Sequence, residues 1–304
     1  MIRWLLQRRR RRLLRRIHAA GGRGDDMSAL RVAEELKEVG RWTPDEAIAI
    51  GRVFNGWDRF EETLEVLDGL TEPARSRPAV RALRADTLTS LGRTHEALVL
   101  RHALRETFPE SSMHEIRYAL ALLDEGLVDE ARAIIDGVAH VGLDVPATSA
   151  LLTFLNADLR WNDALHVAEV AREADPESFS RTVMLLQQLL MVHTKFGDPS
   201  TLDRAQELVS SAPTDWLKKP RFIGLALRLA VANGDVERGR NLLHLAPRNW
   251  DHAVLHRHQA WLAHQEGRVD QAQNTWWNIL STKPVPEVRA CGTGELRRVD
   301  HHSI

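Results

Sequence analysis

The chain has 304 residues and 34.4 kDa, with 43% hydrophobic and 27% charged side chains, long enough for a large core or a stack of small units. No run approaches the roughly 18 apolar residues of a spanning helix, and the single cysteine, Cys291, excludes an intramolecular disulfide and a cysteine-based zinc site. The net charge of −1 hides an asymmetry. Nine of the 41 basic residues fall within residues 1–24, which contain no acid, leaving 32 bases against 42 acids in the other 280. An acidic body is a poor general binder of nucleic acid, and no specific nucleic-acid partner is expected. Lysine appears five times against 36 arginines, a bias that fits a GC-rich, bacterial genome.

Residues 1–20 read MIRWLLQRRRRRLLRRIHAA. The apolar run Trp4 to Leu6 is too short for a secretory signal core. Ile2, Leu6, Leu13 and Ile17 share one side of a helical wheel, but Arg10 intrudes. Residues 1–26 are expected to be an arginine-rich arm, disordered or lying on a surface. Its partner would be an anionic membrane face. RNA or DNA is the alternative polyanion. Met27 also stands just before the first convincing helix and is an alternative translation start.

A helix over residues 28–39, with Leu30, Ala33, Leu36 and Val39 in helical spacing, is expected to cap the first of a series of units. From there the chain repeats. Thr63, Ala97, Ala131, Ala164, Ala205, Gly239 and Ala272 are small anchors separated by 34, 34, 33, 41, 34 and 33 residues. Five before the anchor stand Gly92, Gly126, Gly234 and Gly267, where glycine permits the positive φ that ends a helix. One or two before it are acids such as Glu62, Glu96, Asp163 and Asp270, suited to a helix's first turn. Nine before it every unit is apolar, from Phe54 and Leu88 to Phe196 and Ala263. Seven after it every unit is apolar again, and Pro109, Pro176 and Pro284 close three units. Each unit is therefore two antiparallel helices crossing at the anchor, stable only when stacked on neighbours. The 41-residue interval implies a long first helix, from about Glu177 to Lys195, and an extended turn at residues 196–200.

This pattern resembles the tetratricopeptide repeat, most closely in LGRTHEAL (91–98) with Pro109 and EGRVDQAQ (266–273) with Pro284. The resemblance covers about residues 43–290. It departs from the family where Leu, Ala or Val replace aromatics, and where Arg101 stands four after an anchor. It implies an all-α, right-handed superhelical solenoid of about seven hairpins over residues 27–290, followed by a flexible tail at 291–304. It also implies that the first helices line a concave groove. The groove positions are then Arg52, Asn55, Asn156, Arg221, Arg228, Arg257, Trp261 and His264. Arginine binds carboxylate or phosphate bidentately and tryptophan offers an apolar platform, so the groove suits an acidic or C-terminal peptide. The family's two-carboxylate clamp has no match.

No phosphate loop, dinucleotide fingerprint or nucleophile elbow occurs. His252 and His256 lie four apart, with His258 and His264 beyond, but no third ligand is evident and surface histidines explain them. His193 is expected to be a hydrogen-bonded interior residue. Trp57, Trp161, Trp276 and Trp277 are expected to pack, and Trp216 and Trp250 to plug seams between repeats. The expected function is a non-enzymatic interaction scaffold, without cofactor or metal, in the cytoplasm or peripheral to the inner membrane face. The alternatives are a ligand- or peptide-sensing regulator and an accessory subunit of a membrane-associated synthesis system, such as one for envelope polysaccharide.

Overall fold

A computed structural model describes residues 2–23, 26–245 and 253–282. The described residues form helices and turns, with no strand. In order these are α1 (Ile2–Arg23), α2 (Asp26–Val39), α3 (Pro44–Asn55), α4 (Phe60–Asp68), the single turn α5 (Glu72–Arg75), α6 (Pro78–Ser90) and α7 (Thr94–Thr107). Next come α8 (Ser112–Asp124), α9 (Val128–Gly137), α10 (Val145–Ala157), α11 (Trp161–Ala174), α12 (Phe179–Phe196) and α13 (Pro199–Ser210). After a 3₁₀ turn at Thr214–Lys218 follow α14 (Pro220–Ala232), α15 (Val236–Leu245), α16 (Ala253–Gln265) and α17 (Val269–Thr282). The chain divides into two compact units, residues 1–208 and 209–304. The tail at 291–304, Trp250, His252, Pro284 and Cys291 lie outside the described residues.

The repeat register is correct. All seven anchors are buried, each in the second helix of its unit. Twelve residues earlier stands the crossing partner on the first helix, such as Ala85, Ala119 and Ala260, each fully buried. At the first crossing, Gly51 permits the closest approach. A Cβ there would lie 2.9 Å from Thr63 Cγ2 and 2.9 Å from Leu83 Cδ2, tighter than van der Waals contact allows.

The turn five residues before the anchor is left-handed in six of the seven units. Gly92, Gly126, Gly234 and Gly267 have φ between 65° and 80°. Asp58 (φ 58°) and Leu159 (φ 62°) adopt the same conformation without glycine's freedom. In the long unit the left-handed residue is Gly197 (φ 69°), which ends α12 at Phe196. That shift corrects one expectation. Phe196, an apolar core position by count, is 59% exposed, because the added length places it on the last residue of α12.

The acids before the anchors do more than complement helix dipoles. In four units an arginine at anchor −4 bonds the residue at anchor −1: Arg59 to Glu62, Arg93 to Glu96, Arg160 to Asp163 and Arg268 to Gln271. A second arginine, one after the anchor, reaches the next unit, as in Arg132 to Asp158 and Arg240 to Glu266. The second contact joins neighbouring hairpins and fixes their spacing.

The expected arm is different in the structure. Ile2–Arg23 forms helix α1, packed on α2 and touching α3. Leu13, Ile17 and Ala20, at i, i+4 and i+7, are buried on one side. Arg10, the residue that interrupts the apolar side, is neutralised. Its Nε donates to Glu46 Oε1 (3.0 Å), and its Nη2 donates to the Arg41 carbonyl (2.6 Å). Glu46 is only 5% exposed. It also accepts from the Thr43 backbone N–H in the capping box that starts α3. Burial pushes its carboxyl up, but the Arg10 fork and the Thr43 bonds outweigh burial and hold it below the usual range.

Candidate functional site

Two separate faces carry the expected groove residues. In the second unit, Pro220 starts α14 by supplying the fixed φ of a first helical position. Its apolar stripe, including Phe222, Ile223, Ala226, Leu229 and Ala230, is buried. Arg221 and Arg228 remain on the exposed side of α14. Helix α16 packs beside α14 and presents Arg257, half-buried, with His264 exposed near its end. Arg228 on α14 and Arg257 on the adjacent α16 are near enough to repel each other. Loss of solvent, then repulsion from Arg257, push the Arg228 guanidinium below its ordinary range. No carboxylate among the described residues forms an ion pair with Arg221, Arg228 or Arg257. Elsewhere the chain meets many of its arginines with acids, as the anchor pairs illustrate. An unmatched cationic pair is what an incoming carboxylate or phosphate would complete.

Trp261 takes another place. Its ring lies against the α15 crossing, with Cζ3 3.1 Å from where a Cβ on Gly239 would stand. The small anchor therefore seats the indole, and Trp261 packs the hairpin more than it offers a platform. Trp216 stacks edge-on with Phe222 at 5.7 Å, as a plug should. Trp276 and Trp277, both expected to pack, are 36% and 69% exposed on α17 instead.

In the first unit Arg52 stands on the rim of an open bowl of about 740 Å³ between α1 and α3. Asn55 is taken up structurally, its Nδ2 donating to Thr87 Oγ1 (2.9 Å) on α6. Asn156, on α10, is half-buried, and its Oδ1 has no partner. His193 Nδ1–H donates to the Asp198 carbonyl at 3.0 Å, and the ring is half-buried as a structural residue. Arg52 and Asn55 share α3, whereas Asn156 lies on α10, about a hundred residues further along the chain.

One cluster escaped the sequence reading. Arg101, 5% exposed on α7, fills the position where an aromatic would pack, and pairs with Asp86 on α6. Arg117 on α8 approaches the same carboxylate at 3.8 Å. Burial pushes the Arg101 guanidinium down while Asp86 opposes the shift. The signal was present: a charged residue at an apolar position needs an acid within reach, and Asp86, itself exposed, lies one helix earlier.

On α1 the side opposite the buried one is exposed and cationic. Arg11, Arg12 and Arg15 lie there, and no acid among the described residues forms an ion pair with them. Arg9 and Arg16 share Glu35 on α2. No described helix is long and apolar enough to cross a membrane. No group of three described His, Cys, Asp or Glu side chains is placed to hold a metal ion.

Solved structures share this fold. Human IFIT1 bound to PPP-AAAA is 13% identical, with 88% of this chain and 66% of that chain aligned at a TM-score of 0.56. Human IFIT1 bound to m7Gppp-AAAA is 12% identical, with 91% and 70% aligned at a TM-score of 0.56. A tetratricopeptide repeat protein from Parabacteroides merdae is 14% identical, with 88% and 99% aligned at a TM-score of 0.44. No protein-family model matches the chain, and no curated protein matches it. The fold is a diverged tetratricopeptide-repeat-like array of helical hairpins.

Proposed function

We propose that the chain is a non-enzymatic interaction scaffold that receives an acidic segment of a partner protein on the α14–α16 face. The observation that carries this reading is that Arg221, Arg228 and Arg257, on the packed helices α14 and α16, form no ion pair with a carboxylate among the described residues. Like charges brought together in a free protein cost stability, and a ligand carboxylate recovers it. Arg221, the second residue of α14 and seven before Arg228, extends the cationic face. The arrangement of repeats supports a scaffold, since helical-hairpin solenoids expose first helices to extended partners.

The finer reading places the protein in the cytoplasm, peripheral to the inner membrane face. The exposed Arg11, Arg12 and Arg15 of α1 support it, at about 1 kcal/mol per arginine near an anionic leaflet. The apolar side of α1 is spent on α2 and the core, so the contact would be electrostatic and free of insertion.

A second reading comes from the structural neighbours. IFIT1 was solved with RNAs whose names carry 5′-phosphates, and the same arginine pair suits phosphate. A titration of full-length protein at low salt separates the readings. Octaglutamate, the PPP-AAAA oligonucleotide and phosphatidylserine vesicles would be offered in turn. The scaffold reading expects octaglutamate to bind, with affinity lost in Arg228→Glu with Arg257→Glu. Binding of the oligonucleotide alone would replace it with the RNA reading. Vesicle binding lost in Arg11→Gln, Arg12→Gln and Arg15→Gln together would support the tether.

A further inference from the structure

The bowl between α1 and α3 lies in the other unit and is independent of the acidic-segment reading. Its walls are apolar: Leu14 and Ile17 from α1, Ile48 and Val53 from α3, and Trp57 from the turn after α3. Only three polar side chains line it, His18, Asp45 and Arg52. At about 740 Å³ it falls in the size range of small-molecule sites.

The polar groups select the ligand. Arg52 is exposed, and no acid among the described residues forms an ion pair with it. His18 is exposed at the α1 side of the lining. Asp45 adds a negative charge to the same lining, only loosely held by Arg77 at 3.8 Å. A ligand with several charges would be repelled by Asp45, whereas a single carboxylate can be bonded by the Arg52 fork. An extended peptide needs a series of backbone hydrogen-bond partners, and three side chains do not supply one. A hydrocarbon chain needs none, and the walls match it.

We infer that this bowl binds an amphipathic monoanion of the acyl-carboxylate class, its chain against Leu14, Ile17, Ile48 and Val53 and its carboxylate at Arg52. α1 builds one wall, so the site exists only when the arginine-rich helix is docked.

Sodium decanoate is the probe, titrated into full-length protein by calorimetry and by thermal melting, below its micellar concentration. 1-Decanol serves as the uncharged control and tripolyphosphate as the polyanion. One decanoate should bind per chain and raise Tm, and neither control should compete. Arg52→Gln, at an exposed position that the fold does not need, should weaken binding about tenfold or more, as loss of a charged hydrogen bond does. Ile48→Trp should fill the bowl and abolish binding, with circular dichroism checking that helix content is kept. Arg228→Glu with Arg257→Glu should leave decanoate binding unchanged, so failure of one proposal is distinguishable from failure of the other. Absence of saturable binding, equal binding of decanol, or binding insensitive to Arg52→Gln would each overturn the inference.

Discussion

Leu159 is the residue at which the repeat imposes a conformation its side chain resists. Its neighbours in register are mostly glycine, yet it holds φ 62° while 70% exposed. A left-handed non-glycine residue costs about 1–2 kcal/mol, and an exposed leucine returns little packing. Leu159→Gly should therefore raise stability by about 1 kcal/mol, after allowance for glycine's greater freedom in the unfolded chain. A denaturant midpoint at or below wild type would remove the strain from this explanation. Glu62 makes a second residue-scale prediction. Bonds from Arg59, opposed by partial burial, then from Lys37, hold its carboxyl at about 2 rather than 4.5. A depressed folded-state pKa stabilises above the unfolded value and is lost as pH falls through the folded one. The contribution should thus fade between about pH 4.5 and pH 2. The drop in urea midpoint between about pH 5 and pH 3 should be smaller in Glu62→Gln than in wild type. Equal drops would show that Glu62 carries none of the acid sensitivity.

Pairs of helices are where the sequence spoke most clearly and also where it misled. Small anchors spaced mostly 33 or 34 residues apart located every crossing, because a small side chain at the anchor lets the two backbones approach. Ala131→Arg should destabilise by more than the roughly 1–3 kcal/mol of overpacking, since no acid is positioned to meet the charge inside the crossing of α8 and α9. Near-wild-type melting would mean that the register is wrong. The first helix was harder to place. Its block of arginines reads as a solvated arm, because charge density outweighs a three-residue apolar stripe in any local reading. What settles it is non-local: Glu46 lies 36 residues away and is already committed to a helix cap. A protein beginning at Met27 would leave Glu46 without Arg10 and remove Leu13 and Ile17 from the core cluster that includes Leu36 and Ile50. It should lose about 3 kcal/mol or more. Circular dichroism and denaturation of the truncated chain would check this, and an unchanged midpoint would return α1 to a dispensable arm.

For the whole molecule, repetition made the architecture legible, while the site was legible only in part. Counting from an anchor places a residue on a helix face but does not say what that side chain already touches. Arg228 is exposed and Arg257 half-buried. Asn55 was taken by Thr87, and Trp261 by the gap that Gly239 leaves. Arg101 was invisible as the buried half of an ion pair because its exposed partner, Asp86, sits on the preceding helix. The bowl beside Arg52 was invisible because α1, which walls it, was not expected to fold there.

The scaffold reading stands or falls on whether Arg228 and Arg257 are kept unpaired for an acidic ligand. The decisive comparison is chemical denaturation of wild type and of Arg228→Gln with Arg257→Gln, each with and without saturating octaglutamate. Removing mutual repulsion should leave the variant at least as stable as wild type when alone. Octaglutamate should raise the midpoint of wild type only. A variant markedly less stable by itself, or stabilised equally by the peptide, would contradict the reading and make the two arginines structural.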